Sequence, residues 1–471
     1  MIRSGHPPGG PASPTLCKVW RDPTVRQRIV EYLGGRRVRE ATCAFLGRLD
    51  AANPSLFERH PPENLDRMLD EGCELARSLE DRVSMLIHLD VEYVNHDNPA
   101  AAYLDPERIF RLQEPLARVI EAGLLDFGIR YLHLITGQGH HFVWRIPRES
   151  EIARAIAKLA ICTPPDPAAP APEPLFSHLA LVMEHFAHLV KRDAAPDCAI
   201  PVEITARHVG PGASGMREML SIDLSEYGDP LHSRMIRIPY TVYRKPWVSG
   251  LIDRMGIEDR VKEFFTLPLH EMDLMQLLRE RHRPEKIIDL ARRAGVNIPQ
   301  QEKGTARLLD DYLRSPLCAF HRSFYSVAQN HPSLRPEGHY KTPLDALPPC
   351  AVHVLGEPND WLLKPSGIQL VTRCLLALGW HPRHIAGLIR AKFENPLHGW
   401  GDKWREYDAS QRAEFYVRLF SGEIATGLDA GVDFNCFSQQ EKHFCWNPCG
   451  CSLEPFRAGL HRLFNPNPSL P

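Results

Sequence analysis

Asp90 and Glu92 close the apolar run in MLIHLDVEYVN, residues 85–95. Strand side chains alternate, so positions 90 and 92 share a face and their carboxylates repel unless something positive lies between them. Two hard oxygen ligands at the end of a buried strand suit Mg²⁺ or Mn²⁺. With 58 acids among 471 residues, about seven Asp/Glu pairs two apart are expected by chance, so it is the apolar context that singles this pair out. The simpler reading is a strand end turning into solvent with ordinary surface acids.

A second feature is LITGQGHHFVWRIP, residues 134–147. Thr136-Gly137-Gln138-Gly139 makes a tight turn whose glycines, Gly137 and Gly139, let backbone N–H groups approach a phosphate. His141 shares a face with Val143 on the strand that follows, and spacing favours it over His140. A histidine held by structural hydrogen bonds is the competing reading. The third feature is SIDLSEYGDPLHSRMIRIPYTVYRKP, residues 221–246, in which Asp223 ends another apolar strand. Beyond it Arg237, Pro239, Thr241, Tyr243 and Lys245 alternate along one side, and such a face of cations and hydroxyls would meet a triphosphate or a nucleic-acid backbone. A solvated outer sheet face competes. Taken together, three acids, a histidine beside a glycine turn and a basic ribbon are the parts needed for two-metal phosphoryl or nucleotidyl transfer.

CFSQQEKHFCWNPCGC, residues 436–451, gathers Cys436, His443, Cys445, Cys449 and Cys451. Four thiolates suit Zn²⁺, with His443 as a substitute ligand, and an iron–sulfur cluster is the second choice. The spacing departs from Cys-x2-Cys pairs, so a metal-free reading stays open.

These residues must be held by strands and helices. RVSMLIHLDVEYV reads as a strand, DPERIFRLQEPLARVIEAGL as a helix opened by Asp105-Pro106, and IRYLHLIT with HHFVWRIP as a strand pair, which is an α+β arrangement. A helix is expected over about 176–192, followed by REMLSIDL and RMIRIPYTVYR as strands. Residues 19–79 read as a helical lead-in behind a Pro/Gly-rich tail. The organisation expected is 1–79 tail and lead-in, 80–247 catalytic core, 248–362 helical middle, and 363–471 helical region with the cysteine cluster. In the last region GIQLVTRCLLALGWHPRHIAGLIRAKFEN resembles two helices around a turn. Trp400, Trp404, Tyr407 and Tyr416, interleaved with Arg and Lys, could stack single-stranded bases, but helix core is the favoured reading. The basic stretch RERHRPEKIIDLARRAG is discounted in the same way.

The three motifs LIHLDVE, TGQGHH and SID…RMIRIPYTVYRKP resemble, in order and rough spacing, those of the archaeo-eukaryotic primase superfamily: the catalytic small subunits of DNA primases and the related primase-polymerases. The resemblance spans about residues 80–247. It implies an α+β fold with a primase-type (RRM-like) catalytic core of mixed or antiparallel strands, ahead of a mainly helical C-terminal region with a Cys-rich metal-binding segment. It further implies that Asp90, Glu92 and Asp223 hold Mg²⁺ or Mn²⁺ and that His141 contacts the incoming nucleotide's phosphates. Arg237 and Lys245 match the basic positions of the third motif, with Arg234 beside them. Thr136 and Thr241 stand where serines are usual, Tyr243 where His or Asn is common, and Trp247 replaces a closing glycine, which leaves ribo or deoxyribo preference open. The function so implied is template-directed synthesis or extension of primers in replication or repair, a mobile element's included. Its partners would be nucleoside triphosphates, a single-stranded DNA template and a replication or helicase protein. A metal-dependent nuclease and a catalytically inactive, nucleic-acid-binding relative are the alternatives.

Composition excludes little of this. A formal charge of -2 gives no overall attraction to polyanions, so any nucleic-acid contact must use local basic patches. Proline, at 42 of 471 residues, is well above the usual ~5% and favours defined loops. No apolar run reaches the ~18 residues of a membrane span, the start lacks a secretory h-region, and eight further scattered cysteines fit a reducing compartment. A cytoplasmic location is the expectation.

Overall fold

The computed structural model describes residues 14–464 apart from 50–56, 165–172, 208, 231–233, 271, 330–344, 357–359, 396–407 and 446–448. The strands, in chain order, are β1 (Leu46–Leu49), β2 (Phe57–His60), β3 (Leu75–Ser78), β4 (Ser84–Asn95), β5 (Leu132–Ile135), β6 (Gly139–Pro147), β7 (Val202–Ile204), β8 (Glu218–Asp223), β9 (Met235–Arg237), β10 (Val242–Tyr243), β11 (Phe264–Phe265) and β12 (Leu267–Pro268). They form a six-stranded sheet in the order β12-β5-β6-β4-β8-β7, a four-stranded sheet in the order β2-β1-β3-β9, and the pair β10-β11. Within the large sheet only β7 and β8 run parallel, so the fold is α+β with mixed and antiparallel sheets and a helical C-terminal region.

β4 lies in the middle of the large sheet because every residue from Ser84 to Val91 is buried on one face or the other. Such a run has to be covered on both sides. One side carries Val91 and, opposite it, His140, whose ring meets Phe110 edge-on at 5.2 Å. Phe110 belongs to the helix Pro106–Asp126, which Asp105 caps by accepting from the Arg108 N–H at 3.1 Å. A second long helix, Pro174–Ala194, packs on the first. The other side of β4 carries His88, Asp90 and Glu92.

Two expectations need correction. The lead-in is not wholly helical: after the helix Leu65–Asp70, Gly72 takes φ of 69° and the chain enters β3, which pairs with β1 and β9. Local propensity in ELARS does not oppose a helix, and only the distant partner strand selects the extended form. The basic ribbon 234–245 is not one strand either. Pro239 has no N–H for a ladder and Tyr240 turns the chain with φ of 63°. The chain thus leaves β9, closes a turn with the Thr241 hydroxyl donating to the Ile238 carbonyl at 2.7 Å, and starts β10 elsewhere.

The C-terminal region contains helices Pro349–Gly356, Pro365–Ala377, Pro382–Glu394, Ala409–Ala425 and Glu454–Phe464. Tyr416 is core, its hydroxyl donating to Asp229 at 2.7 Å, while Trp400, Trp404 and Tyr407 lie outside the described residues. The basic stretch 279–295 contains the helix Pro284–Arg293, whose Ile287, Leu290 and Ala291 are buried. Among the described residues no helix is long and apolar enough to cross a membrane.

Candidate functional site

Strand register sets the geometry. Asp90 pairs with His141 on β6 and with Asp223 on β8, while Glu92 pairs with Gly139 and Ser221. Directly paired side chains share a face with Cβ atoms about 4.5–5.5 Å apart, so residues more than fifty and a hundred positions away meet over Asp90. The His141 Nε2 stands 3.4 Å from the Asp90 Oδ1. His88, two residues before Asp90, meets the His141 ring edge-on with centroids 4.6 Å apart. Among the described residues, His88, Asp90 and His141 make the one set of three or more His, Cys, Asp or Glu donors whose ligand atoms all lie within 4.8 Å of one another. Glu92 and Asp223 flank that set without completing another at that separation.

The electrostatics are those of a site short of positive charge. Burial, then the carboxylates of Glu92, Asp223 and Glu226, push the Asp90 carboxyl well above the usual carboxylate range. Burial and then Asp223 do the same to Glu226, whose Oε2 is 3.8 Å from the His88 Nδ1. Burial, followed by Arg237, pulls His88 down to about 3, and burial, followed by His88, pulls His141 well below its usual value, so both imidazoles are neutral. Asp90 Oδ1, Glu226 Oε2, His88 Nε2 and both ring nitrogens of His141 are buried without a hydrogen-bond partner. Buried polar atoms are rarely left so, and a cation among them would take Asp90 Oδ1 and one nitrogen each of His88 and His141 as ligands.

This has a thermodynamic consequence. The ion-free native state keeps protons on Asp90 and Glu226 that the unfolded chain releases above about pH 4, so the contribution of these two carboxyls to stability falls as pH rises through the raised native values, opposite in sign to that of the lowered His88 and His141. In EDTA, the Asp90→Asn variant should therefore gain melting temperature relative to the wild type between about pH 5 and about pH 8. Thermal scans across that range measure it; a difference independent of pH contradicts it.

Arg237 approaches the acids from the end of β9, and Lys245 from the short helix Lys245–Val248 that follows β10. Burial opposes charge on Arg237, yet Tyr243, Glu74 and Glu92 hold its basicity above the ordinary value. Its Nε donates to Glu74 Oε1 at 2.7 Å and its guanidinium lies 4.6 Å from the Tyr243 ring centre. Glu74 Oε2 in turn accepts the backbone N–H of Arg244 at 2.5 Å and of Lys245 at 2.7 Å. Lys245 is opposed by burial and held above its usual value first by Glu92. Glu74 thus fixes the Arg237 guanidinium and the backbone that carries Lys245, and no spacing in the sequence pointed to it.

Gly137 and Gly139 are required by close approach. A Cβ at Gly137 would stand 2.5 Å from the Tyr243 ring, and one at Gly139 would stand 1.7 Å from the Val91 carbonyl oxygen. The turn is tied down by Arg281, whose Nη1 donates to the Thr136 carbonyl at 2.9 Å. Arg234 faces elsewhere: it lies 4.2 Å over the Phe176 ring and lines a separate cleft of about 350 Å³. Its ion-pair partner is Glu80, at 3.7 Å.

Near the C-terminus, Cys436 opens the helix Cys436–Glu441, its Sγ 3.7 Å from the Cys451 carbonyl. Cys445 is buried, Cys449 and Cys451 are exposed, and His443 takes φ of 60°. Backbone hydrogen bonding from Cys451 pulls the Cys449 thiol below its usual range. Cys350, on the helix Pro349–Gly356, is pushed up to about 12 by burial and then by Cys445, so it belongs to the same neighbourhood although it lies far off in sequence.

Neither a scan against protein-family models nor searches of curated proteins and of solved structures return a match.

Proposed function

We propose that the chain is a template-directed nucleotidyltransferase of the primase or primase-polymerase type, synthesising or extending primers. The observation that carries this is the register in which Asp90 sits between His141 and Asp223, with Glu92 and Glu226 beside it and Arg237 and Lys245 facing them. Acids outnumber cations there, which suits divalent ions; Asp90, Glu92 and Asp223 would hold them, although their ligand oxygens do not all lie within 4.8 Å of one another. When bound, Mg²⁺ or Mn²⁺ supplies activation of a 3′-hydroxyl and neutralises charge on the α-phosphate. Arg237 and Lys245 then orient a triphosphate, and Glu74 holds the Arg237 guanidinium back from the acids. Nucleoside triphosphates and a single-stranded DNA template are the partners this reading needs, with a replication or helicase protein as a further one.

Purified protein with Mn²⁺, a single-stranded template and labelled nucleotides tests the reading by template-dependent lengthening. A metal-dependent nuclease is the second reading, favoured by the imidazole of His88 beside that of His141; shortening of the template would select it. Retention of DNA without either reaction would select a catalytically inactive binder.

A structural Zn²⁺ held by Cys436, Cys445, Cys449 and Cys451, with His443 as the substitute, is proposed separately. The donor set is of the right chemistry, and an iron–sulfur cluster is the lesser alternative. Metal analysis should find about one Zn²⁺ per chain, and Cys445→Ser should abolish it and lower the melting temperature. Full zinc content in that variant contradicts the assignment.

A further inference from the structure

We infer that His88, Asp90 and His141 form a binding site for one divalent transition-metal ion, with nitrogen ligands that favour Mn²⁺, Co²⁺ or Zn²⁺ over Mg²⁺. The inference deepens the reading given above, on which its catalytic consequence rests, although binding itself needs no nucleotide.

Both histidines are buried, His88 at 2% exposure and His141 at 1%, and among the described histidines His141 alone has both ring nitrogens buried and unpartnered. By contrast, His321 is equally buried and bonds through both ring nitrogens, to Tyr312 and to Glu184, while His140 on the opposite face of the sheet bonds to His133 at 2.8 Å through Nδ1. His88 Nε2 and the two nitrogens of His141 have no such partner, nor has Asp90 Oδ1. The 3.4 Å between His141 Nε2 and Asp90 Oδ1 carries no hydrogen bond. It matches the separation of two ligand atoms each about 2.1 Å from one tetrahedral ion, roughly 3.4 Å.

The surroundings of His88 fit a ligand too. Its Nδ1 is on the side of Glu226, 3.8 Å from Oε2, which leaves Nε2 as the free nitrogen. A carboxylate behind a ligating imidazole sets its tautomer and orientation. The backbone at this point is also fixed: the Tyr227 hydroxyl accepts from the His88 N–H and donates to the His88 carbonyl, both at 2.8 Å. Mg²⁺ seeks oxygen ligands and keeps its waters, whereas imidazole suits later first-row ions, so a two-histidine pocket discriminates by ligand type.

Mn²⁺ is the useful probe, because thiolate sites such as the cysteine cluster select softer ions. Pulsed electron paramagnetic resonance of the full chain loaded with Mn²⁺ alone should show ¹⁴N coupling from two imidazoles, and His88→Phe should reduce it to one. Titration of free Mn²⁺ should show that Mg²⁺ displaces it only at about a tenfold or larger excess, a preference that His88→Phe removes. Mn²⁺ bound without imidazole coupling, or coupling and preference unchanged in His88→Phe, would overturn the inference. If that variant does not fold, the wild-type spectrum decides alone, and fewer than two nitrogens overturns it. Failure of primer extension with both nitrogens present would count against polymerisation and leave the ion site standing.

Discussion

Replacing Asp90 with Asn should lower templated nucleotide incorporation by about 10³-fold or more while single-stranded DNA is still retained. Asp90 is the acid on which the strand register converges. It pairs with His141 on one side and Asp223 on the other, and its carboxyl feels Glu92, Glu226 and Arg237. Asn keeps the shape but not the charge, so it removes the ligand without opening a cavity. Because the carboxyl is held above its usual range in the ion-free protein, the substitution relieves repulsion rather than breaking a pair. Lost activity with an unchanged or raised melting temperature in EDTA is therefore the expected combination. Steady-state incorporation, DNA binding and a thermal scan on the same preparation measure it. Retained activity would remove Asp90 from the chemistry.

Replacing Arg237 with Ala should cut kcat/KM by about 10²–10³-fold and also destabilise the fold by about 3 kcal/mol. The second effect arises because Glu74 is buried at 2% exposure and would keep only the N–H groups of Arg244 and Lys245 as donors. A lone buried carboxylate costs far more than the pair contributes. The double variant Glu74→Gln with Arg237→Met separates the two effects, since it removes the stranded charge and fills the space. It should recover most of the lost stability in urea unfolding and none of the lost activity. Recovery of activity would make Arg237 a structural residue only.

Much of the site was legible in the chain because it lies on strands whose period is two. The apolar run before Asp90 could only be a buried strand, and alternation alone places Asp90 with Glu92 and His141 with Val143. His88 was legible by the same parity, two residues before Asp90, but a histidine inside an apolar run reads as a tolerated core residue. Glu226 follows Asp223 by three, within the short helix Ser225–Gly228, where it reads as an ordinary first-turn acid. Glu74 left no mark at all: its partner Arg237 lies 163 residues away, and the two meet only because β3 and β9 pair. That non-local pairing is also why the lead-in looked helical. The basic ribbon failed for a local reason that was visible, since Pro239 in the middle of an alternating run marks a break.

The most direct measurement is incorporation of labelled nucleotides on a single-stranded template in Mn²⁺, with pyrophosphate followed in the same reaction. Acids gathered around shared cations and faced by Arg237 and Lys245 should lengthen the strand in step with the template and release one pyrophosphate per nucleotide added. A metal-loaded protein that shortens the template, or leaves it unchanged with no pyrophosphate formed, would contradict nucleotidyl transfer at this pocket.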